Sequence, residues 1–181
     1  ADVFCGPACA GLDRGNGRGH SVSVHTGQRL TNGLTREMPP TFDLDRFVRA
    51  QEKDYSQALA ELKAGRKQTH WIWYVLPQLR ALGRSRMARE YGITGRAEAA
   101  AYLAHPVLGP RLVACVQAVL GHADRSAVEI LGEVDAMKFR SCLTLFQAVA
   151  PGESCFTKAL EIFYQAHPDT QTLRILATGA E

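Results

Sequence analysis

From residue 43 onward the apolar positions of the chain recur at helical spacing. Leu44, Phe47, Val48, Tyr55, Leu59 and Leu62 lie three, four or seven residues apart, so they line one face of a helix and leave the charged residues on the other. Gly65 supplies the residue that most easily takes the left-handed turn ending such a helix. Residues 68–76, QTHWIWYVL, form a continuous apolar and aromatic run that suits either a helix or a buried strand, and Pro77 ends it. Ser85 predicts the cap of a short helix reaching toward Gly92, and Thr94 the cap of the strongly helix-forming RAEAAAYLA. Pro106 suits the first position of a helix whose stripe is Val107, Leu108, Leu112, Cys115, Val116 and Val119. Ser126 and Glu129 make a capping box, and Asp135, Ser154 and Asp169 are each read as the cap of a further helix. About eight helices and no alternating strand pattern result. The expected fold is all-α, a compact single-domain array over residues 42–178.

Residues 1–37 break this pattern. They hold seven of the 16 glycines and show almost no helical periodicity, so residues 1–41 are expected to form a flexible leader that need not be native. Met38 opens MPPTFDLDRF, which reads as a natural start, and the leader lacks the apolar core of a secretory signal.

Composition changes this picture little. At 181 residues with 46% hydrophobic and 22% charged positions, the chain can bury a proper core as one globular domain. The net charge of +3 arises from 21 basic and 18 acidic residues mixed along the chain, without the basic blocks that track a phosphate backbone, so no nucleic-acid partner is expected. The longest apolar runs fall far short of the ~20 residues a membrane span needs. Five cysteines are an odd number with no C-x-x-C pair; Cys115, Cys142 and Cys155 sit in apolar helical surroundings and read as buried free thiols, which suits a reducing, cytoplasmic location. Cys5 and Cys9 with His20 and His25 match no zinc spacing, and neither a metal nor a cofactor is expected.

No serine-hydrolase elbow, metalloprotease motif, P-loop or dinucleotide fingerprint is present. Three polar clusters carry the remaining chemistry. In KQTHWIWYVLPQ, a helical segment would put Lys67, His70, Trp71 and Tyr74 on one face, with Trp73 and Gln78 close by; an imidazole beside indoles could stack a planar ring and move a proton, or the aromatics could simply be core. In ALGRSRMAREYGI, Arg84, Ser85 and Tyr91 border a helix start that could cradle an anion or could be a solvated capping loop. In DAMKFRSCLTLF, Met137, Phe139, Leu143 and Phe146 are expected to point inward. Lys138, Arg140, Ser141 and Thr144 then occupy the polar rows, as site residues around a half-buried lysine or as a plain amphipathic face. His105, between Tyr102 and Pro106, sits at a helix break and is a weaker candidate.

The segments FDLDRFVRAQ, LKAGRKQTHWIWYVLPQL, ALGRSRMAREYGI, AAAYLAHPVLGPRL and DAMKFRSCLTLF, in this order and spacing, resemble the bacterial Domain of Unknown Function family 1810, from Phe42 to about Leu176. The resemblance implies a mainly helical single domain and no particular reaction. Its signature positions fall on His70, Trp71, Trp73, Pro77, Gln78, Gly83, Ser85, Tyr91, Tyr102, His105, Pro106, Gly109, Arg111, Lys138, Ser141, Thr144 and Phe146. Arg86 departs from the small residue or proline common there. Short strings such as RMAREYG and MKF are similar to the helical NADAR group, which is associated with ADP-ribose derivatives and N-glycoside cleavage.

The leading expectation is one pocket for a planar anionic small molecule, such as a nucleotide or ADP-ribose derivative. It has Lys67, Trp71, Trp73, Gln78, Arg84, Ser85, Tyr91, His105, Arg111, Ser141 and Thr144 as lining and His70 or Lys138 in proton transfer if a glycosidic or phosphate bond is hydrolysed. The competing expectation is a non-catalytic protein-interaction domain whose aromatics are all core. Oligomeric state is left open.

Overall fold

The structure, a computed structural model, describes residues 41–179. The expected leader, with Cys5, Cys9, His20 and His25, falls on residues outside this range. Nine α-helices follow one another among the described residues: α1 Asp45–Lys63, α2 Ile72–Val75, α3 Arg86–Glu90, α4 Arg96–Ala104, α5 Leu108–Leu120, α6 Ala127–Leu131, α7 Glu133–Val149, α8 Ser154–Tyr164 and α9 Thr170–Thr178. A single 3-10 turn, Arg80–Leu82, precedes α3, and the β pairing among these residues is one bridge between Leu79 and Ile93. The fold is all-α, as the spacing of apolar residues predicts.

The longest interior helix, α7, buries Phe139, Cys142, Leu143 and Phe146 and packs against α4, α6, α8 and α9, while α1 lies on α5 and α2. Aromatic rings join the two halves: Tyr102 meets Phe47 edge-on at 5.0 Å and Phe146 at 5.6 Å. Two polar side chains on the inner face of α1 complete the core. Gln51 donates to the Tyr74 carbonyl at 2.7 Å, lies 3.0 Å from the Tyr102 hydroxyl and accepts from Arg111 at 3.3 Å, so a buried amide has all its bonds made inside the protein. Cys115, Cys142 and Cys155 are buried free thiols, and burial pushes Cys115 and Cys155 up to about 12, which leaves them unreactive. Among the described residues no single helix is long and apolar enough to cross a membrane.

Helix ends follow the sequence signals where a side chain can reach a free amide. Ser126 and Glu129 form the capping box, Ser85 and Asp169 accept from the third residue of their helices, and Gly65 closes α1 at a φ of 67°. Five expectations are corrected. Gly95 rather than Thr94 precedes α4, because the Thr94 amide and hydroxyl both donate to the Glu98 carboxylate at 2.7 Å. Pro106 lies in the turn before α5 rather than in its first position. Glu153 rather than Ser154 precedes α8, and α7 starts at Glu133 after Gly132, so Asp135 is inside its first turn. Met137 points outward and is 65% exposed, because two, six and nine residues of helix place Phe139, Leu143 and Phe146 on the opposite face, with Ala136.

Candidate functional site

The tryptophan segment is folded by a carboxylate that lies ten residues ahead of its first indole. Glu61, buried on α1, accepts five hydrogen bonds: from Gln57 Nε2 at 3.2 Å, the Gln68 amide at 2.8 Å, the Thr69 amide at 3.1 Å and hydroxyl at 2.7 Å, and Trp71 Nε1 at 2.8 Å. Burial pushes the Glu61 carboxyl up, but these donors outweigh it and hold it down to about 2. With its amides spent on Glu61, the stretch ahead of Trp71 is a loop, neither helix nor strand, and helix is confined to α2. Lys67 and His70 therefore do not share a helical face with Trp71 and Tyr74. Trp71 turns fully inward, while Trp73, two residues on, is only half-buried.

Trp73 lines a cleft of about 780 Å³ together with Gln78, Leu82, Gly83, Arg84 and Ser85 on one side and Val134, Met137, Lys138, Ser141, Asp169 and Gln171 on the other. The Lys138 ammonium stands 4.8 Å from the Trp73 ring centre, a cation held on an indole face. Asp135 anchors it: its carboxylate lies 2.8 Å from both Lys138 Nζ and Lys67 Nζ. Burial pushes the Asp135 carboxyl up, but the bonds from Lys138 and Lys67 prevail and hold it below its ordinary value. The three residues together carry one positive charge. On the same side Ser141 Oγ donates to Asp169 Oδ2 at 3.1 Å, and the same carboxylate caps α9 through the Thr172 amide at 2.9 Å.

The structure thus brings Trp73, Gln78, Arg84, Ser85, Lys138 and Ser141 to one cleft. His70 is exposed in an adjoining, more open depression of about 480 Å³ that shares Trp73, Val134 and Lys138. The other expected lining residues lie elsewhere, each for a visible reason. Lys67 is buried beneath the cleft, bonded to Asp135 and to the Thr69 carbonyl at 2.6 Å. Trp71 is wholly enclosed. Tyr91 faces a separate basin with Arg49, Lys53 and Tyr74. His105 Nδ1 accepts from the Val107 and Leu108 amides at 3.2 and 3.3 Å and so caps α5. Arg111 is drawn in to Gln51 and stacks 4.6 Å from the Tyr55 ring. Thr144 is buried, donating to the Arg140 carbonyl and accepting from the Asp169 amide. Asp135, Asp169, Gln171 and Val134 were not among the expected residues. Asp135 and Asp169 did show as helix-start signals; Asp169 caps α9 and lines the cleft, while Asp135 lies in the first turn of α7 and holds Lys138.

Comparison with known families places the chain. The family model described as "Protein of unknown function (DUF1810)" matches residues 41–176. The chain belongs to this family. It is also similar to the crystal structure of a conserved hypothetical protein, Rv1873, from Mycobacterium tuberculosis, with 45% sequence identity and a TM-score of 0.74 over 75% of this chain and 97% of that one. No curated protein matches it. Arg86 does not line the cleft: its side chain is 93% exposed and reaches Glu90 at 3.7 Å.

The groups facing this DUF1810 cleft are two cations, an indole, two hydroxyls, two amides and a carboxylate. Ser141 Oγ donates to the Asp169 carboxylate, which also accepts from Thr172, and lies 3.3 Å from the Met137 carbonyl. The Lys138 ammonium lies between the Asp135 carboxylate and the Trp73 indole. Ser85 Oγ is occupied by the Ala88 amide, and α3 is too short to add a helix-end field, so Arg84 rather than a cradle of amides supplies positive charge on that side. Among the described residues no group of three His, Cys, Asp or Glu side chains is placed to hold a metal ion. Asp169→Ala, which strips the α9 cap and leaves the Thr172 amide and hydroxyl without their acceptor, is expected to lower stability by about 1–2 kcal/mol in urea unfolding; an unchanged midpoint would show that water replaces the carboxylate.

Proposed function

We propose that this DUF1810 chain binds a planar, anionic small molecule, of the nucleotide class, in the Trp73 cleft, and that it acts by binding rather than by hydrolysis. One observation carries the proposal: the half-buried indole of Trp73 shares a cleft with the Lys138 and Arg84 cations and the Gln78 amide, while its neighbour Trp71 is fully enclosed. A flat ring gains from stacking on an indole and from the apolar surface of Met137 and Val134, and an attached anion gains from Lys138 and Arg84. Gln78 offers both a donor and an acceptor to a ring edge.

A thermal-shift screen over nucleosides and nucleotides, confirmed by calorimetry, tests this. A ligand present at about 100 times its Kd stabilises the folded state by about 2.7 kcal/mol, a rise of several degrees in Tm. Trp73→Ala and Lys138→Met should each remove the rise while the protein stays folded. No shift with any nucleotide, or an undiminished shift in Trp73→Ala, would overturn the proposal; release of free base or phosphate would restore hydrolysis.

A further inference from the structure

Residues 79–93 form a rigid loop whose arginines make few bonds to the rest of the protein. Its two ends are tied by backbone hydrogen bonds, Arg80 N to the Ile93 carbonyl at 2.8 Å and Ile93 N to the Gln78 carbonyl at 2.9 Å. Arg46 of α1 clamps the far end, donating to the carbonyls of Glu90 at 3.1 Å and Gly92 at 3.2 Å and to the buried Glu98 carboxylate at 2.6 Å. Two glycines close the waist: a Cβ on Gly83 would fall 2.6 Å from Ala88 Cβ, and one on Gly92 would run into Arg80 Cα. Backbone packed this closely has little freedom to rearrange.

This loop displays Arg80, Arg84, Arg86 and Arg89, all exposed. Arg86 reaches Glu90; among the described residues Arg80, Arg84 and Arg89 make no ion pair, although carboxylates are nearly as numerous in the chain as cations. Arg84 lines the Trp73 cleft. Arg80 and Arg89 line a second depression, of about 460 Å³, on the other side of Gly83, with Ala81 as its remaining wall. Gly83 lines both depressions. Along the two depressions lie four cations, Lys138, Arg84, Arg80 and Arg89, against one carboxylate, Asp169, which is already engaged by Ser141 and Thr172. A single anionic group at Lys138 and Arg84 leaves the two outer guanidiniums unused. A chain of linked anionic groups crossing Gly83 would use all four.

We infer that the ligand is an oligophosphate compound, a nucleoside di- or triphosphate in class, whose ring lies at Trp73, whose first phosphate meets Arg84 and Lys138, and whose outer phosphates cross Gly83 to Arg80 and Arg89. Guanidinium groups suit this because each offers paired donors to phosphate oxygens and stays charged at any physiological pH. The inference rests on the cleft proposed above for the ring, but the arginine loop can be probed by itself.

The test is calorimetric titration with adenosine, AMP, ADP, ATP and inorganic tripolyphosphate in about 0.15 M salt, where loose attraction between exposed charges is screened. Affinity is expected to rise from AMP to ADP to ATP, with ATP about tenfold or more tighter than AMP, the usual size for an added charge-assisted contact. The double variant Arg80→Gln, Arg89→Gln, both on exposed side chains, should keep its Tm and its AMP affinity while ATP falls to the level of AMP. Tripolyphosphate should bind the native protein and not the double variant. ATP and AMP binding alike, or a double variant that keeps the preference for ATP, would overturn the inference while leaving the Trp73 cleft standing. Tripolyphosphate binding that depends on Arg80 and Arg89, alongside ATP binding indifferent to Trp73→Ala, would uphold the arginine loop and remove the ring site. Binding of none of the five removes both.

Discussion

Trp71→Ala should destabilise the protein by about 3–5 kcal/mol, while Trp73→Ala two residues later should cost no more than about 1–2 kcal/mol. The two side chains are identical and neighbours in sequence, so the contrast isolates their surroundings. Trp71 has no exposed surface, belongs to the core and donates its indole N–H to Glu61 at 2.8 Å, so its removal leaves a large cavity and an acceptor short of one partner. Trp73 keeps one side toward the cleft, where water already reaches it, and its loss empties part of an open depression. Urea unfolding of the two variants measures the difference directly. Equal losses would mean that the Trp73 ring is a structural member of the core and would leave the cleft without its stacking surface.

Glu61→Gln is expected to cost about 2–4 kcal/mol at neutral pH although it changes almost no volume. The carboxylate accepts from five donors, and an amide replaces one acceptor oxygen with an NH₂ group pointed at other donors. The pH dependence has a definite sign. The folded Glu61 carboxyl is held at about 2 against an ordinary 4.5, so its stabilisation is fully present above pH 4.5 and is lost as pH falls from 4.5 toward 2. The stability gap between native protein and Glu61→Gln should therefore be constant from pH 7 to about 5 and shrink below 4.5. A gap that persists unchanged at pH 3 would show that Glu61 acts through shape rather than through its charge.

Glu61 also marks where the sequence was hardest to read. It sits on a helix at a position that looks like one more solvated charge, and nothing in its immediate neighbourhood announces five donors arriving from residues 57–71. Without it, the run QTHWIWYVL has the composition of a helix or a buried strand, and Lys67, His70, Trp71 and Tyr74 would line up on one face. With it, the segment is a loop followed by one helical turn, and the two tryptophans part company. The same effect moved Arg111, Thr144 and His105 away from the cleft: each is polar, each lies on or beside an apolar stripe, and each is consumed by a buried amide, a carbonyl or a pair of helix-end amides. A polar residue in such a place satisfies a core or serves a site, and spacing treats the two alike.

The cleft residues that could be foreseen are those whose location depends on short-range geometry. Lys138 and Ser141 are one helical turn apart on α7, and Arg84 and Ser85 precede a helix that Ser85 caps; both pairs follow from helix periodicity and capping. Asp135 and Asp169 carried a visible signal, a carboxylate near a helix start, but that signal speaks of the helix and is silent about what faces it. Met137 was expected to point inward with Phe139, Leu143 and Phe146, but at about 100° per residue it lies on the opposite face of α7 and forms part of the cleft wall.

By itself the sequence determined the all-α fold, the helix caps at Ser85, Ser126 and Asp169, the buried free thiols at Cys115, Cys142 and Cys155, and the segments that carry most of the cleft lining. These depend on interactions within a few residues, or on the average preference of apolar side chains for the interior. Only the tertiary structure decided which tryptophan faces outward, which polar residues are spent inside the core, and that Gly83 joins two depressions lined by arginines. Those outcomes depend on contacts between residues tens of positions apart, whose free energies become definite only when the helices are packed.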